Sequence, residues 1–368
     1  MNKEKLRIAI SGGGTGGHVY PAIAIADAIK QIVPDADLLF VGANGKIEME
    51  KVPNAGYPIK GLWISGLHRK LTFRNLLFPL KLVHSLFKSW GILRRFKPQV
   101  VVGVGGFASG PLLELATRMN IPTLIQEQNS YAGITNKLLA KKVEKICVAY
   151  GQMDRFFPKE KLILTGNPVR KDFLRNEIDK AAAFAYFGLD PSRKTIFVFG
   201  GSLGAASINR AIAKNLALLK EQSDVQLLWQ VGKLYYEQYK DGEVSQLENV
   251  SLVPFVDRMD YAYGIADMVV CRAGAGTISE LCLVGQAAIL IPSPNVAEDH
   301  QTKNAIALVE RNAALMIPDQ EADQEIISAA LTLLKDDKKR KTLKENILKM
   351  AKPDAAQTIA EEVLSLIN

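Results

Sequence analysis

Short apolar runs alternate with longer amphipathic stretches from one end of the chain to the other. In the first half the runs RIAIS, LLFVGA, VVVGVG, TLIQEQ and KICVAY are separated by segments such as YPAIAIADAIKQI and ITNKLLAKKV. Uniformly apolar runs between helix-period segments predict buried parallel strands joined by helical crossovers, an α/β architecture. The scheme then restarts. TIFVFGGSLGAASINRAIAKNLALL repeats the order of RIAISGGGTGGHVYPAIAIADAIKQI: strand, glycine-rich turn, small residues, helix. It continues through VQLLWQV, VSLVPFV, DMVVCRAG and AAILIPS, so two similar doubly wound domains are expected rather than one long sheet. The segment LILTGNPVRKDF has Gly166 and Pro168 and no clear periodicity, and reads as the linker. That places the domains at residues 1–166 and 167–353. The tail reads as two helices parted by Lys352-Pro353, with Asp354 as N-cap of the last. Ile359, Val363, Leu364 and Ile367 give that last helix an apolar face that must pack on something.

Composition narrows the class. A chain of 368 residues exceeds one ordinary core, and 48% apolar with 23% charged residues is the balance of a folded chain, not a disordered one. Cys147, Cys271 and Cys282 form no C-x-x-C pair and no cluster with histidine. That argues against a disulfide framework or structural zinc and suits a reducing compartment. The N-terminus runs straight into a strand, so no signal peptide is expected, and no apolar run is long enough to span a membrane. The net charge of +8 is concentrated: from Lys51 to Leu113 there are ten Lys and Arg and no acid, which leaves the remainder at −2. Within that stretch Trp63, Leu67, Phe73, Leu80, Phe87 and Trp90 are interleaved with Arg69, Lys70, Arg74, Lys81, Lys88, Arg94 and Arg95. A core helix with a solvated basic face is one reading. The apolar surplus favours the other, an amphipathic surface on anionic lipid. No motif for nucleic acid is present.

Four glycine-rich turns follow strands directly: Gly12 to Gly17, Gly103 to Gly110, Gly200 to Gly204, and Arg272 to Gly276. Ligands of open α/β sheets lie outside the carboxyl ends of strands, so four such turns point to phosphate-bearing ligands. Gly12-x-Gly14-x-x-Gly17 satisfies the dinucleotide fingerprint, but that reading needs an acid after the second strand. The strand ends in Gly42, Ala43 and Asn44, and Asp35 and Asp37 precede it, at the wrong end for a ribose or for a metal-binding Asp-x-Asp. No Gly-Lys-Ser/Thr follows any turn, so a P-loop is excluded as well.

The acid stands in the second domain. After DMVVC come Arg272, a small-residue turn, and Glu280 early in the next helix, where a carboxylate can accept two hydrogen bonds from a ribose diol. Its competing role is to complement the helix dipole. GGSLGAAS offers backbone N–H groups and the Ser202 hydroxyl to a diphosphate. In PNVAEDHQTKNA, Gln301 reads sugar hydroxyls or belongs to a helix cap. Glu127 and Asn129 follow a strand at the same side, as site residues or as a buried capping network. His18 follows the first glycine loop, where a neutral imidazole can take a proton from a sugar hydroxyl; a lone histidine there is otherwise structural.

As an ordered set, GGGTGGHVYPA, VVGVGGFASGP, EQNSYAGITNK, GNPVR, GGSLGA, CRAGAGTISE and DHQTKNA closely resemble the MurG family of peptidoglycan N-acetylglucosaminyltransferases. The resemblance spans nearly the whole chain. It implies a GT-B fold, two Rossmann-like domains facing a cleft, with residues 354–368 crossing back onto the first. The implied reaction moves GlcNAc from UDP-GlcNAc to the C4 hydroxyl of MurNAc in undecaprenyl-diphospho-MurNAc-pentapeptide (lipid I), with inversion, giving lipid II. Position by position, Thr15, Gly16 and Gly17 face the diphosphates, Asn129 approaches the donor sugar, and Arg170 and Ser202 contact the nucleotide diphosphate. Val256 meets uracil through its backbone. Ala275, Gly276, Thr277, Ile278, Ser279 and Glu280, following Arg272, hold base and ribose, and Gln301 reads GlcNAc hydroxyls. His18 is the candidate base, assisted by Glu127. Phe107 stands where the family commonly has tyrosine, Val256 where it has isoleucine, and Gln126 where it has histidine. The first and last remove a hydroxyl and an imidazole from those places. The resemblance implies no cofactor and no metal. Its partners are UDP-GlcNAc, undecaprenyl-linked lipid I, an anionic membrane surface and other cell-wall synthesis proteins, at the cytoplasmic face of a bacterial plasma membrane. A GT-B enzyme of small acceptors, or a UDP-GlcNAc 2-epimerase, is the alternative.

Overall fold

The computed structural model describes residues 5–66, 77–169 and 178–367; His68, Phe73, Arg74 and Arg170 lie outside them. Contacts divide the chain into two compact units, Met1–Arg170 with Lys352–Asn368, and Lys171–Ala351.

The first unit carries a seven-stranded sheet in the order β3-β2-β1-β4-β5-β6-β7. Its strands are β1 (Arg7–Ser11), β2 (Asp37–Ala43), β3 (Ile59–Leu62), β4 (Val100–Gly103), β5 (Thr123–Glu127), β6 (Lys145–Val148) and β7 (Leu162–Leu164). Every pairing is parallel. The central strands are apolar because both faces are covered: Ile8 and Ile10 pack on one side, Ala9 and Val101 on the other. The second unit repeats the winding in six parallel strands, ordered β10-β9-β8-β11-β12-β13. These are β8 (Lys194–Phe199), β9 (Val225–Gln230), β10 (Val250–Val253), β11 (Met268–Cys271), β12 (Ala288–Leu290) and β13 (Leu315–Met316). In both sheets the order reverses beside the first strand, so the switch points lie between β1 and β4 and between β8 and β11.

Several expectations change. Leu162–Leu164, read as linker, forms the edge strand β7, and Asn167 belongs to the first unit: its side chain accepts from Gln126 Nε2 and donates to the Gln128 carbonyl, both at 3.0 Å. Asp354 occupies the N-cap position of the helix Ala355–Leu364 but makes no side-chain cap bond. That helix does return to the first unit. Ile359, Ala360 and Val363 are fully buried in one cluster with Ile25 and Ile29 of the helix Gly16–Ile32, and Lys145 pairs with Glu362 at 2.6 Å. All three cysteines are buried and unpaired, and burial pushes Cys147 and Cys282 up to about 12, which keeps them as inert core thiols.

The helix Phe78–Phe96 packs Leu82, Ile92, Leu93 and Phe96 on the core yet leaves a second apolar stripe outside. Its buried positions are Ser85, Ser89 and Leu93, while Leu80, Val83, Phe87 and Trp90 form an exposed stripe, Phe87 at 73%. The helix packs on the helix Ser109–Arg118, and Ser85 donates to the Trp63 carbonyl at 3.0 Å. Lys81 lies over Trp63 and Arg94 over Trp90, the latter at 4.8 Å, so cations border the apolar stripe. Among the described residues no helix is long and apolar enough to cross a membrane.

Candidate functional site

The four glycine turns of the sequence are the turns after β1, β4, β8 and β11, the four strands that flank the two switch points. The helices they open are Gly16–Ile32, Ser109–Arg118, Ala206–Lys214 and Ala275–Val284, and none has a side-chain cap or an acid in its first turn. The positive end of each helix therefore remains for an anion or for water.

In the first unit the turns after β1 and β4 interlock. A Cβ on Gly106, which has φ +79°, would overlap the Gly13 carbonyl, and one on Gly13 would overlap the Glu48 carboxylate. Glu48 was not singled out in the sequence. It opens the helix Glu48–Asn54, is fully buried, and accepts from Ala43 N–H and Gly14 N–H, each at 2.9 Å. An acid does therefore reach the end of β2, four residues past Asn44, but it holds the glycine loop in shape. Both of its oxygens are committed to backbone donors.

Thr15 is the N-cap of the helix Gly16–Ile32 and is exposed. Its hydroxyl meets His18 Nδ1 at 3.2 Å rather than capping the helix. The His18 ring lies against Gly105 of the β4 turn, near the Asn136 amide, so it bridges the two loops. Glu127, expected to assist His18, is engaged in the capping network that was its other reading. It is buried, Oε1 accepts from Asn129 N–H and Nδ2, and Oε2 accepts from Gly133 N–H at 3.0 Å and Asn136 Nδ2 at 2.9 Å. With four donors its lone pairs are occupied. The carboxylate fixes Asn129 and Asn136, and Asn136 touches the His18 side of the site.

In the second unit a cavity of about 480 Å³ opens at the turns after β8 and β11. Gly200, Gly201, Arg272, Thr277 and Gln301 line it, as do Ser207 and Asp319. Arg272 is not a free cation there. Its guanidinium bonds Asp319 at 2.5 Å, Ser207 Oγ at 2.8 Å, and the carbonyls of Ile291 and Pro292. Asp319, 47 residues away, gave no signal near the motif. Gln301 accepts from Ser293 N–H at 2.8 Å, which orients its amide at the cavity wall. Ser202 is exposed on the β8 turn.

Several other expected site residues are also held by the framework. Ile278 is buried with its N–H bonded to the Gly274 carbonyl, and the Ser279 hydroxyl donates to the Ala275 carbonyl, because both lie inside the helix. Val256 is buried and its N–H donates to Gln230 Oε1 at 2.9 Å, while Gln230 Nε2 donates to the Gly201 carbonyl. Gln230, unmarked in the sequence, thus ties the Val256 loop to the β8 turn, and the N–H of Val256 is already engaged. Ala275, Gly276 and Thr277 lie in the first turn of the helix Ala275–Val284, where backbone donors lack helix partners. Glu280 sits one turn on from Thr277, and the hydroxyl of buried Tyr263 donates to its Oε2 at 3.0 Å. Burial, reinforced by the charge of Glu280, raises the Tyr263 hydroxyl well above its ordinary value, so it stays a donor.

Two parallel doubly wound units, each with glycine turns at its switch point, define a GT-B glycosyltransferase fold. The family model for the glycosyltransferase family 28 N-terminal domain matches residues 8–148, and that for the C-terminal domain matches residues 195–359. The chain belongs to glycosyltransferase family 28. It is 54% identical over 366 residues to the UDP-N-acetylglucosamine–N-acetylmuramyl-(pentapeptide) pyrophosphoryl-undecaprenol N-acetylglucosamine transferase of Cytophaga hutchinsonii, covering 100% of this chain and 98% of that one. It is 52% identical over 368 residues to the enzyme of the same name from Bacteroides thetaiotaomicron, covering 100% and 99%. The crystal structure of Acinetobacter baumannii MurG superposes with a TM-score of 0.76 at 26% identity, covering 98% of this chain and 99% of that chain.

Proposed function

We propose that this chain transfers GlcNAc from UDP-GlcNAc to the C4 hydroxyl of MurNAc in undecaprenyl-diphospho-MurNAc-pentapeptide, with inversion at the anomeric carbon. One observation carries the reading: at both switch points two uncapped helices start directly after glycine turns, and His18 stands at one of them. The names of the full-length relatives agree with it.

The chemistry is a single displacement. The acceptor C4 oxygen bonds to the anomeric carbon, the bond from that carbon to the UDP oxygen breaks, and the hydroxyl proton passes to His18 Nε2. For Nε2 to accept, Nδ1 must carry the other proton and donate it to Thr15 Oγ1, the contact seen at 3.2 Å. Charge growing on UDP is met by the first turns of the helices Ala206–Lys214 and Ala275–Val284 and by the Ser202 loop. Glu280 takes the ribose diol and Gln301 the sugar hydroxyls. Asn129, held by Glu127, approaches the donor sugar, and Gly16 and Gly17 offer N–H groups to a diphosphate. No metal is required by this scheme.

The exposed stripe Leu80, Val83, Phe87 and Trp90, bordered by Lys81 and Arg94, supports docking on anionic lipid, where a lipid-diphosphate acceptor resides. Each cation adds roughly 1 kcal/mol near such a surface. The chain is on this reading a peripheral protein of the cytoplasmic membrane face. Product analysis by NMR tests the chemistry. A β-linked disaccharide formed at an unchanged rate in EDTA is expected; an α-linked product, or epimerised UDP-sugar with no acceptor consumed, contradicts it.

A further inference from the structure

Glu280 has three rotatable side-chain torsions and lies partly open to solvent, yet a carboxylate gripping two vicinal hydroxyls must hold one orientation. The neighbouring element supplies that restraint. Tyr263 projects from the helix Met259–Ile265 with its ring packed edge-on against Phe197 and Phe199, and its hydroxyl meets Glu280 Oε2 at 3.0 Å. The backbone behind it is anchored too: Gln286 Nε2 donates to the carbonyls of Tyr263 at 2.7 Å and of Ala266 at 2.9 Å. The hydroxyl is thus a fixed donor inside an apolar wall, aimed at a carboxylate on the helix that opens at the β11 turn.

We infer that Tyr263 is a positioning residue for nucleotide recognition: its hydroxyl presets the Glu280 carboxylate to receive the 2′,3′-diol of a ribonucleotide, so that it sets preference for ribo- over deoxyribo-diphosphates. This rests on the assignment of Glu280 to the ribose made above. Tyr263 touches no substrate. Its effect passes through Glu280, and a hydrogen bond to a charged group is among the stronger ones available. Losing it loosens the carboxylate oxygen it holds and weakens the contact made with the sugar hydroxyls.

The test is calorimetric binding of UDP and of 2′-deoxy-UDP to the full chain, wild type and Tyr263→Phe. Phe keeps the ring against Phe197 and Phe199, and circular dichroism with a melting curve checks the fold. Wild type is expected to prefer UDP by about tenfold or more. Tyr263→Phe should cut that preference by at least about threefold while binding 2′-deoxy-UDP within about twofold of wild type. Glu280→Gln should lose preference likewise, and adding Tyr263→Phe to it should change little, since the two act as one unit. Equal weakening of both nucleotides by Tyr263→Phe, or an unchanged preference, overturns the inference. So does additivity in the double variant, judged against both single variants. A wild type indifferent to the 2′-hydroxyl removes the ribose assignment of Glu280 itself, and the inference with it.

Discussion

Glu48, Glu127 and Glu280 are three carboxylates beside glycine turns, and what each oxygen already holds separates their roles. Glu48 and Glu127 spend their lone pairs on backbone and amide donors of their own unit, so they shape loops. Glu280 receives the Tyr263 hydroxyl on Oε2 and lies partly open. These distinctions were not legible in the sequence, where Glu127 beside Asn129 and Glu280 after a turn look alike. The donors that saturate Glu127 come from Gly133 and Asn136, and the partner that locks Arg272 comes from Asp319. His18 is different again, because its Nδ1 partner Thr15 is three residues away and was in plain view. His18→Ala should lower kcat by about 10²–10⁴ with the KM for UDP-GlcNAc little changed. Thr15→Val should give a smaller loss that Thr15→Ser restores, read from steady-state kinetics. Gly106→Ala should destabilise the first unit by about 1–3 kcal/mol or more in denaturant titration, since φ is left-handed there and the Cβ meets a carbonyl.

At the scale of elements, the strands flanking the switch points were readable because both faces of each are covered, which makes their runs uniformly apolar. The edge strands β3, β7 and β13 were not. Ile59–Leu62 includes a lysine and a glycine, and Leu162–Leu164 and Leu315–Met316 are only partly buried, so neither periodicity nor apolar density marks them. The helix Phe78–Phe96 was legible as a helix, but not which face it buries. Apolar residues outnumber what one face needs, and the fully buried positions are Ser85, Ser89 and Leu93. The last helix was read correctly as a sticky element, and its target is the helix Gly16–Ile32. Ile359→Asp places a charge in that cluster and should lower Tm by several degrees or prevent soluble expression. A melting curve within about 2 °C of wild type contradicts the packing described.

For the molecule as a whole, two units repeat one winding and place equivalent turns at equivalent strand ends; under the proposed function the cavity of the second takes the donor and the histidine-bearing loop of the first takes the acceptor. The charge asymmetry belongs to the same division: the basic residues cluster in the first unit, around an apolar stripe that faces outward. Phe87→Ser with Trp90→Ser should reduce sedimentation with phosphatidylglycerol vesicles about tenfold or more, leaving transfer to a water-soluble short-chain lipid I analogue near wild type. Unchanged vesicle binding removes the docking role of that helix. The central claim is the transfer itself. Radiolabelled UDP-GlcNAc incubated with a lipid I analogue should place label on the analogue and not on free MurNAc-pentapeptide sugar, and His18→Ala and Glu280→Ala should lose most of that transfer while keeping the fold. Binding of UDP-GlcNAc without any labelled lipid product, or equal labelling of the free sugar, contradicts the account.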